Sequence, residues 1–321
     1  MYEAFYGLTG KPFTLLPDPG FLYMGEKHDM AFAMLEYGLV SQAGISVITG
    51  GIGYGKTTVI RHLANQLGKD MRVGLLTNTH RFFGELLEQI LLTFDVQLEG
   101  RSKAELYHAF VNYLIEQYGE NRRTVLIIDE AQNMELDALE ELRLLSNVNT
   151  DKALILQLIL VGQPQLWTKL RDPRLEQFVQ RITVDYVLEP LDAIEVAKYI
   201  SHRLRVAGRD KALFDDEALA MIALHSRGVP RVINMLCDRA LVYGYAKQMK
   251  SIGGELMRQV ICDRAKGGLF DNKLSVVAQH SPAAASGDRV ELSPSTYGKT
   301  EGNLLRQALV ELEDVLEILK R

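Results

Sequence analysis

Cysteine is scarce in this chain of 321 residues: Cys237 and Cys262 are the two present, outside any CxxC pair and away from clustered histidines. Neither a disulfide framework nor a zinc site can be assembled from them, and both read as buried reduced thiols. Long hydrophobic runs are missing too. The most apolar stretch, Ala153 to Val161, is broken by Gln157 and is about half the roughly 20 residues a membrane helix needs. The first residues, Met-Tyr-Glu-Ala-Phe-Tyr, lack the basic segment and apolar stretch of a secretory leader, so the expectation is a mature chain that starts here and is cytoplasmic. Charge of one sign is also weak. A formal net charge of −5 supplies no global field for nucleic acid or an anionic membrane, residues 191–265 are only weakly basic, and a local basic face stays open. Glycine and proline, at 26 and 9, fall short of a low-complexity composition, and 47% hydrophobic with 24% charged residues is that of an ordinary globular protein. The length allows about two domain units.

What is present is an alternation of short β-like runs with longer helical patterns. Ile45 to Thr49, Arg72 to Thr77, Thr124 to Asp129, Leu154 to Val161 and Ile182 to Val187 read as strands of a sheet covered on both faces. The expected fold is α/β, a parallel-sheet core over residues 1–190. Strand signals stop after Pro190. Asp192 to Gly208, Asp215 to Ser226 and Pro230 to Gln248 carry apolar residues at helical spacing behind acidic or proline starts, which predicts a small all-helical domain over 191–265. Residues 266–300 read as a flexible linker. Over 301–321, Leu305, Leu309, Leu312, Leu316 and Leu319 step by four, three, four and three, placing five leucines on one seam of an amphipathic helix with a partner or neighbouring subunit as its expected surface.

Chemistry concentrates at Gly50-Gly51-Ile52-Gly53-Tyr54-Gly55-Lys56-Thr57, which fits GxxxxGK[ST] and stands between a strand and the helical Val59 to Leu67. The glycines let backbone N–H groups converge on phosphate oxygens, and the helix N-terminus adds partial positive charge. Lys56 is placed to reach the β and γ phosphates, Thr57 to offer its hydroxyl to Mg²⁺, and Thr58 follows at the helix start. Thr124-Val125-Leu126-Ile127-Ile128-Asp129-Glu130 is an apolar strand ending in two acids. Asp129 is then expected to hold Mg²⁺ through its water shell and Glu130 to orient or deprotonate the attacking water. The competing readings are a plain glycine-rich turn and an acid pair that caps the helix beginning near Ala131. No acceptor-binding constellation of a small-molecule kinase is found, which favours hydrolysis of ATP.

Three further groups stand at element ends: Gln163 after the fourth strand, Arg181 before the fifth, and Arg231 in Gly228-Val229-Pro230-Arg231. The whole pattern resembles an AAA+ ATPase with a P-loop core and a helical lid. That resemblance implies Gln163 as a water-positioning sensor, Arg181 as a finger reaching a neighbouring subunit's γ-phosphate with Arg174 as its rival, and Arg231 as the lid sensor. An ordinary surface or salt-bridged arginine is the competing role for each.

Phe5-Tyr6-Gly7-Leu8, Lys11-Pro12-Phe13, Pro17-Asp18-Pro19, Phe21-Leu22-Tyr23 and Tyr37-Gly38-Leu39, with Asp129-Glu130-Ala131-Gln132 and Val161-Gly162-Gln163-Pro164, narrow the likeness. They resemble the ExeA (GspA) type of secretion ATPase, and most of all the ATPases associated with exosortase and PEP-CTERM systems, from Met1 to about Lys266. The resemblance implies a Mg-dependent ATPase that forms a homo-oligomer and drives a protein partner in bacterial secretion or envelope polysaccharide export. It places the chain in the cytoplasm, peripheral to the inner membrane through that partner. The membrane helix and peptidoglycan-binding domain of ExeA are not recognised here. Two other functions stay open, a DNA-binding AAA+ regulator of the transposition type and an ATP-gated adaptor with little hydrolysis. Tyr54, Phe13, Phe21 and Tyr23 line an adenine pocket or pack an N-terminal arm; His62, His108 and His202 show no ligand spacing.

Overall fold

A computed structural model of the chain describes residues 1–16, 18–68, 70–77, 86–97, 102–150 and 153–266. The expected linker and leucine-seamed helix lie outside the described residues, apart from Lys266, which ends a helix. In chain order the elements begin with α1 (Glu3–Tyr6), α2 (Glu26–Val40), β1 (Ile45–Gly50), α3 (Lys56–Gln66), β2 (Met71–Leu76), α4 (Leu86–Thr93), α5 (Lys103–Gly119) and β3 (Arg123–Ile128). They continue with α6 (Leu136–Leu145), β4 (Asn149–Thr150), β5 (Ala153–Leu154), β6 (Leu156–Gly162), α7 (Gln165–Leu170), α8 (Glu176–Val179) and β7 (Ile182–Leu188). Four longer helices follow: α9 (Ala193–Val206), α10 (Asp216–Ser226), α11 (Pro230–Ala246) and α12 (Gly254–Lys266).

Contacts divide the described chain into a sheet unit, residues 17–190, and a helical unit made of residues 1–16 and the chain from Leu191 onward. In the sheet unit five strands run in the order β2-β3-β6-β1-β7, all parallel. Their apolar runs alternate between two cores. Leu126, Ile128, Leu158 and Leu160 face the helices α4 to α7, while Val125, Ile127, Ile159 and Val161 face α2 and α3. Burial on both faces is why these strands lack polar alternation. The strand expected from Leu154 starts two residues later, because β4 and β5 form a separate antiparallel pair.

Gln157, which interrupts the apolar run in the sequence, is buried in β6. Its amide donates to the carbonyls of Gly38 at 3.1 Å, Ala43 at 3.2 Å and Leu39 at 3.4 Å. The Gly38 and Leu39 carbonyls belong to the last turn of α2 and the Ala43 carbonyl to the turn after it, so a polar side chain in mid-sheet satisfies the end of a helix and the chain that leaves it.

In the helical unit, Asp192 and Glu195 form a capping box on α9, Asp215 caps α10, and Pro230 occupies the first turn of α11, where its missing N–H is harmless. The first 16 residues, expected within the core of 1–190, pack here instead. Phe13 is buried edge-on against Phe214, Arg203 donates to the Pro12 carbonyl and to Tyr199 at 3.0 Å, and Asn234 donates to the Thr14 carbonyl at 3.2 Å. An aromatic arm with few charges gains by covering α9 and α11, which explains the reassignment. Phe13 therefore packs within the helical unit, while Phe21 and Tyr23 belong to the sheet unit. Cys237 is buried as expected, but Cys262 is exposed on α12, and both are free thiols. No described helix is long and apolar enough to cross a membrane.

Arg227 and Gly228 both adopt the left-handed conformation, at φ of 51° and 69°. The Gly228 carbonyl accepts from Leu191 N–H at 3.0 Å, and a Cβ on Gly228 would fall 1.8 Å from the Leu191 carbonyl oxygen. Backbone against backbone cannot yield, so Gly228→Ala is expected to cost more than about 3 kcal/mol in denaturant unfolding. A loss under about 1 kcal/mol would contradict this packing.

Candidate functional site

The site grows from the carboxyl ends of β1, β3 and β6, three adjacent strands with β6 in the middle. Each ends in the residue types that fold it. Gly50 closes β1 where a Cβ would meet the Leu188 carbonyl oxygen at 2.8 Å. The loop then turns through Gly53 and Gly55, at φ of 79° and 97°, a conformation that other residues adopt only under strain. Gly55 caps α3. Tyr54 folds its ring over Gly51, where a Cβ would lie 2.6 Å from ring carbons, and Ile52 projects into solvent. Tyr54 also packs on the α2–α3 core.

Lys56 is buried. Its ammonium donates to the carbonyls of Gly50 at 2.8 Å and Gly51 at 3.0 Å, across the loop it belongs to. Burial pulls the Lys56 ammonium below the usual lysine range, opposed by the carboxylates of Glu130 and Asp129. The next residue, Thr57, donates its hydroxyl to Asp129 Oδ2 at 2.7 Å. Asp129 Oδ1 accepts from the Glu130 backbone N–H at 2.9 Å, so both oxygens of this buried carboxylate are engaged. Thr58 lies in the first turn of α3, its N–H bonded to the Gly55 carbonyl at 2.9 Å.

Glu130 follows in the left-handed region at φ 55° and ψ 35°, where a non-glycine residue signals strain. Its Oε2 accepts from Gln132 Nε2 at 2.5 Å and from Gln163 Nε2 at 3.2 Å. The structure thus brings together Lys56, Thr57, Asp129, Glu130 and Gln163. Arg181 lies in the same unit and donates to the Ser146 hydroxyl at 3.1 Å and the Ser146 carbonyl at 3.3 Å. Arg174 is engaged locally, forked onto Asp172 through two bonds of 3.1 Å. Arg231 occupies the second position of α11, in the helical unit.

Two residues escaped the sequence reading. Gln132 stands in the sequence only as part of a motif, yet its side chain contacts both acid and sensor segments. His28, on α2, lies with Nε2 2.9 Å from the Tyr54 carbonyl, and a Cβ on Gly55 would sit 2.9 Å from the same nitrogen. Nothing near His28 in the sequence signals this, because its partner is a loop carbonyl.

A loop whose amides are freed by left-handed glycines, a helix N-terminus behind it, a buried lysine, and a hydroxyl beside a carboxylate fit a nucleoside triphosphate with a divalent cation. The order β2-β3-β6-β1-β7 with this loop after β1 defines a P-loop α/β protein. Residues 39–170 match the AAA domain family. The fold is that of an AAA+ protein, and over 248 residues, 77% of its length, the chain is 39% identical to general secretion pathway protein A of Aeromonas hydrophila. It spans 45% of that relative's length. Among solved structures, the ORC2 protein of Aeropyrum pernix in its ADPNP–ADP complexes shares the fold at a TM-score of 0.61 and 18% identity, over 79% of this chain and 71% of that one. CDC6p of Pyrobaculum aerophilum does so at 0.61 and 17%, over 83% and 75%.

If the left-handed turn at Gly55 shapes the phosphate cradle, Gly55→Ala distorts it from two directions, through φ and through His28. Affinity for a fluorescent ADP analogue should fall at least about tenfold. Unchanged affinity would show that the turn is dispensable for binding.

Proposed function

We propose that this chain is a Mg-dependent ATPase that hydrolyses ATP to ADP and phosphate, and that it uses the cycle to assemble or remodel a bacterial secretion or envelope polysaccharide export system. The observation that carries the first part is the pair Thr57–Asp129, joined at 2.7 Å, with the adjacent carboxylate of Glu130 held beside Gln163. Likeness to a general secretion pathway protein supports the second part, and the motif likeness to exosortase-associated ATPases narrows it to envelope export.

In this reading the loop amides and Lys56 bind the phosphates, and Thr57 and Asp129 hold the cation, which neutralises charge on the phosphate oxygens when bound. Lys56 already accepts desolvation in the folded protein, so its ammonium can exchange the Gly50 and Gly51 carbonyls for phosphate oxygens without further loss of water. Glu130 takes the proton of the attacking water as the oxygen bonds to the terminal phosphorus and the bridging bond to ADP breaks. Gln163 orients that water. Arg181 serves a neighbouring subunit's site in a homo-oligomer, and Arg231 is the sensor arginine of the helical unit. The chain works on the cytoplasmic side and meets the inner membrane through its protein partner. No observation of a strongly basic domain favours the DNA-binding reading.

Lys56→Ala should weaken nucleotide binding at least about tenfold, whereas Glu130→Gln should keep affinity and lose about a hundredfold or more in turnover, because one group binds ground-state phosphate and the other acts on water. Equal ATP affinity in wild type and Lys56→Ala would remove the loop from the site. A wild-type chain that binds ATP but shows no multiple turnover would make it an ATP-gated adaptor.

Arg181 acting in trans predicts activity per chain that rises with concentration. Mixing Arg181→Ala with Glu130→Gln chains should restore turnover at interfaces that combine an intact finger with an intact base. Flat concentration dependence with no rescue would return Arg181 to its contact with Ser146.

A further inference from the structure

Gln132 lies outside every role assigned so far, and its environment is specific. It is buried in the short turn after β3. Each end of that amide is used. The nitrogen donates to Glu130 Oε2 at 2.5 Å, and the oxygen accepts from the backbone N–H of Gln163 at 2.9 Å. Glu130 and Gln163 follow different strands, β3 and β6, and their own side-chain contact is the longer one at 3.2 Å. One planar group therefore fixes the distance between the carboxylate that follows β3 and the backbone that follows β6. Gly162 shows how tightly it is seated, since a Cβ there would come within 3.1 Å of Gln132 Oε1.

We propose that Gln132 is the positioning residue of the hydrolytic site, a rigid bridge that holds the Glu130 carboxylate in register with Gln163. The inference rests on the proposed ATPase reading and deepens it. Glu130 sits in a strained left-handed conformation, and a carboxylate on a strained backbone has no intrinsic reason to keep one orientation. The short bond from Gln132 supplies that reason, because an amide donor to a charged acceptor is stronger than a neutral pair. The second bond, to a main-chain N–H, anchors the amide itself. Gln132 does not touch the reacting atoms; it sets where Glu130 points, and small displacements of a catalytic group cost large factors in rate.

The test uses the full chain with Gln132→Met, which keeps length and removes both bonds, and Gln132→Glu, which keeps an acceptor for Gln163 N–H but loses the donor and faces Glu130 with like charge. Each is made alone and in the Glu130→Gln background. The expected result is ADP-analogue affinity and melting temperature near wild type, with kcat reduced about tenfold to a hundredfold in both single variants. In the Glu130→Gln background the single-turnover rate should show no further loss, since the bridge has nothing left to position. Wild-type kcat in Gln132→Met would overturn the bridge. So would an equal loss in both backgrounds, which marks a role independent of Glu130, or a fall in affinity and melting temperature that accounts for the rate. Full turnover in Glu130→Gln itself would instead remove Glu130 from its role as base and overturn the bridge with it, whereas a wild-type chain without multiple turnover would overturn the ATPase reading.

Discussion

The bond from Thr57 to Asp129 spans the first turn of α3 and the end of β3, two places that are far apart in sequence. It exists because β6 inserts between β1 and β3, with every strand parallel, so that all three finish at one edge. Parallel strands end together only if each connection crosses back over a face of the sheet, and the helices that make those crossings bury both faces. The two cores, the loop after β1 and the acids after β3 are therefore consequences of a single arrangement. Were β3 and β6 exchanged, the acids and Gln163 would change places relative to the loop, and the charges that Lys56 answers would be elsewhere.

Charge is handled economically at that edge. Lys56 is buried with no ion-pair partner at bonding distance among the described residues, and its donors go to loop carbonyls. Asp129 is buried with both oxygens satisfied by a hydroxyl and an amide. Each group is thus held by neutral dipoles that a phosphate or a cation can replace. A direct Lys56–Asp129 salt bridge would be harder to open, because separating a buried pair leaves two uncompensated charges.

Local features were legible in the sequence and distant ones were not. The strands from Ile45 and Thr124 announced themselves as apolar runs ending in glycine or acid, and the helical unit's starts were marked by Asp192, Asp215 and Pro230, whose capping chemistry depends only on neighbours. Helix α2 was hidden because apolar residues occur on both of its faces: Ala31, Leu35 and Leu39 are buried while Met30, Tyr37 and Val40 are exposed, which blurs the period of 3.6. Gln132 meets the Gln163 backbone and His28 meets the Tyr54 carbonyl only once the chain is folded, so no spacing rule finds them. The N-terminal arm was assigned to the segment it adjoins, yet Phe13 and the carbonyls of Pro12 and Thr14 find their partners about two hundred positions downstream.

That arm has a history in the life of each molecule. It leaves the ribosome well before Arg203, Phe214 and Asn234, which receive it and follow only after the entire sheet unit has been synthesised. At translation speeds of about 5 to 20 residues per second, Tyr6 and Phe13, both buried in the finished fold, wait roughly 10 to 40 s in contact with water. The sheet unit can close during that interval while the helical unit cannot, so the nascent chain carries a folded core with an unmatched aromatic flag ahead of it. Newly made chains are then most vulnerable to capture by chaperones or by one another in the seconds before α11 emerges.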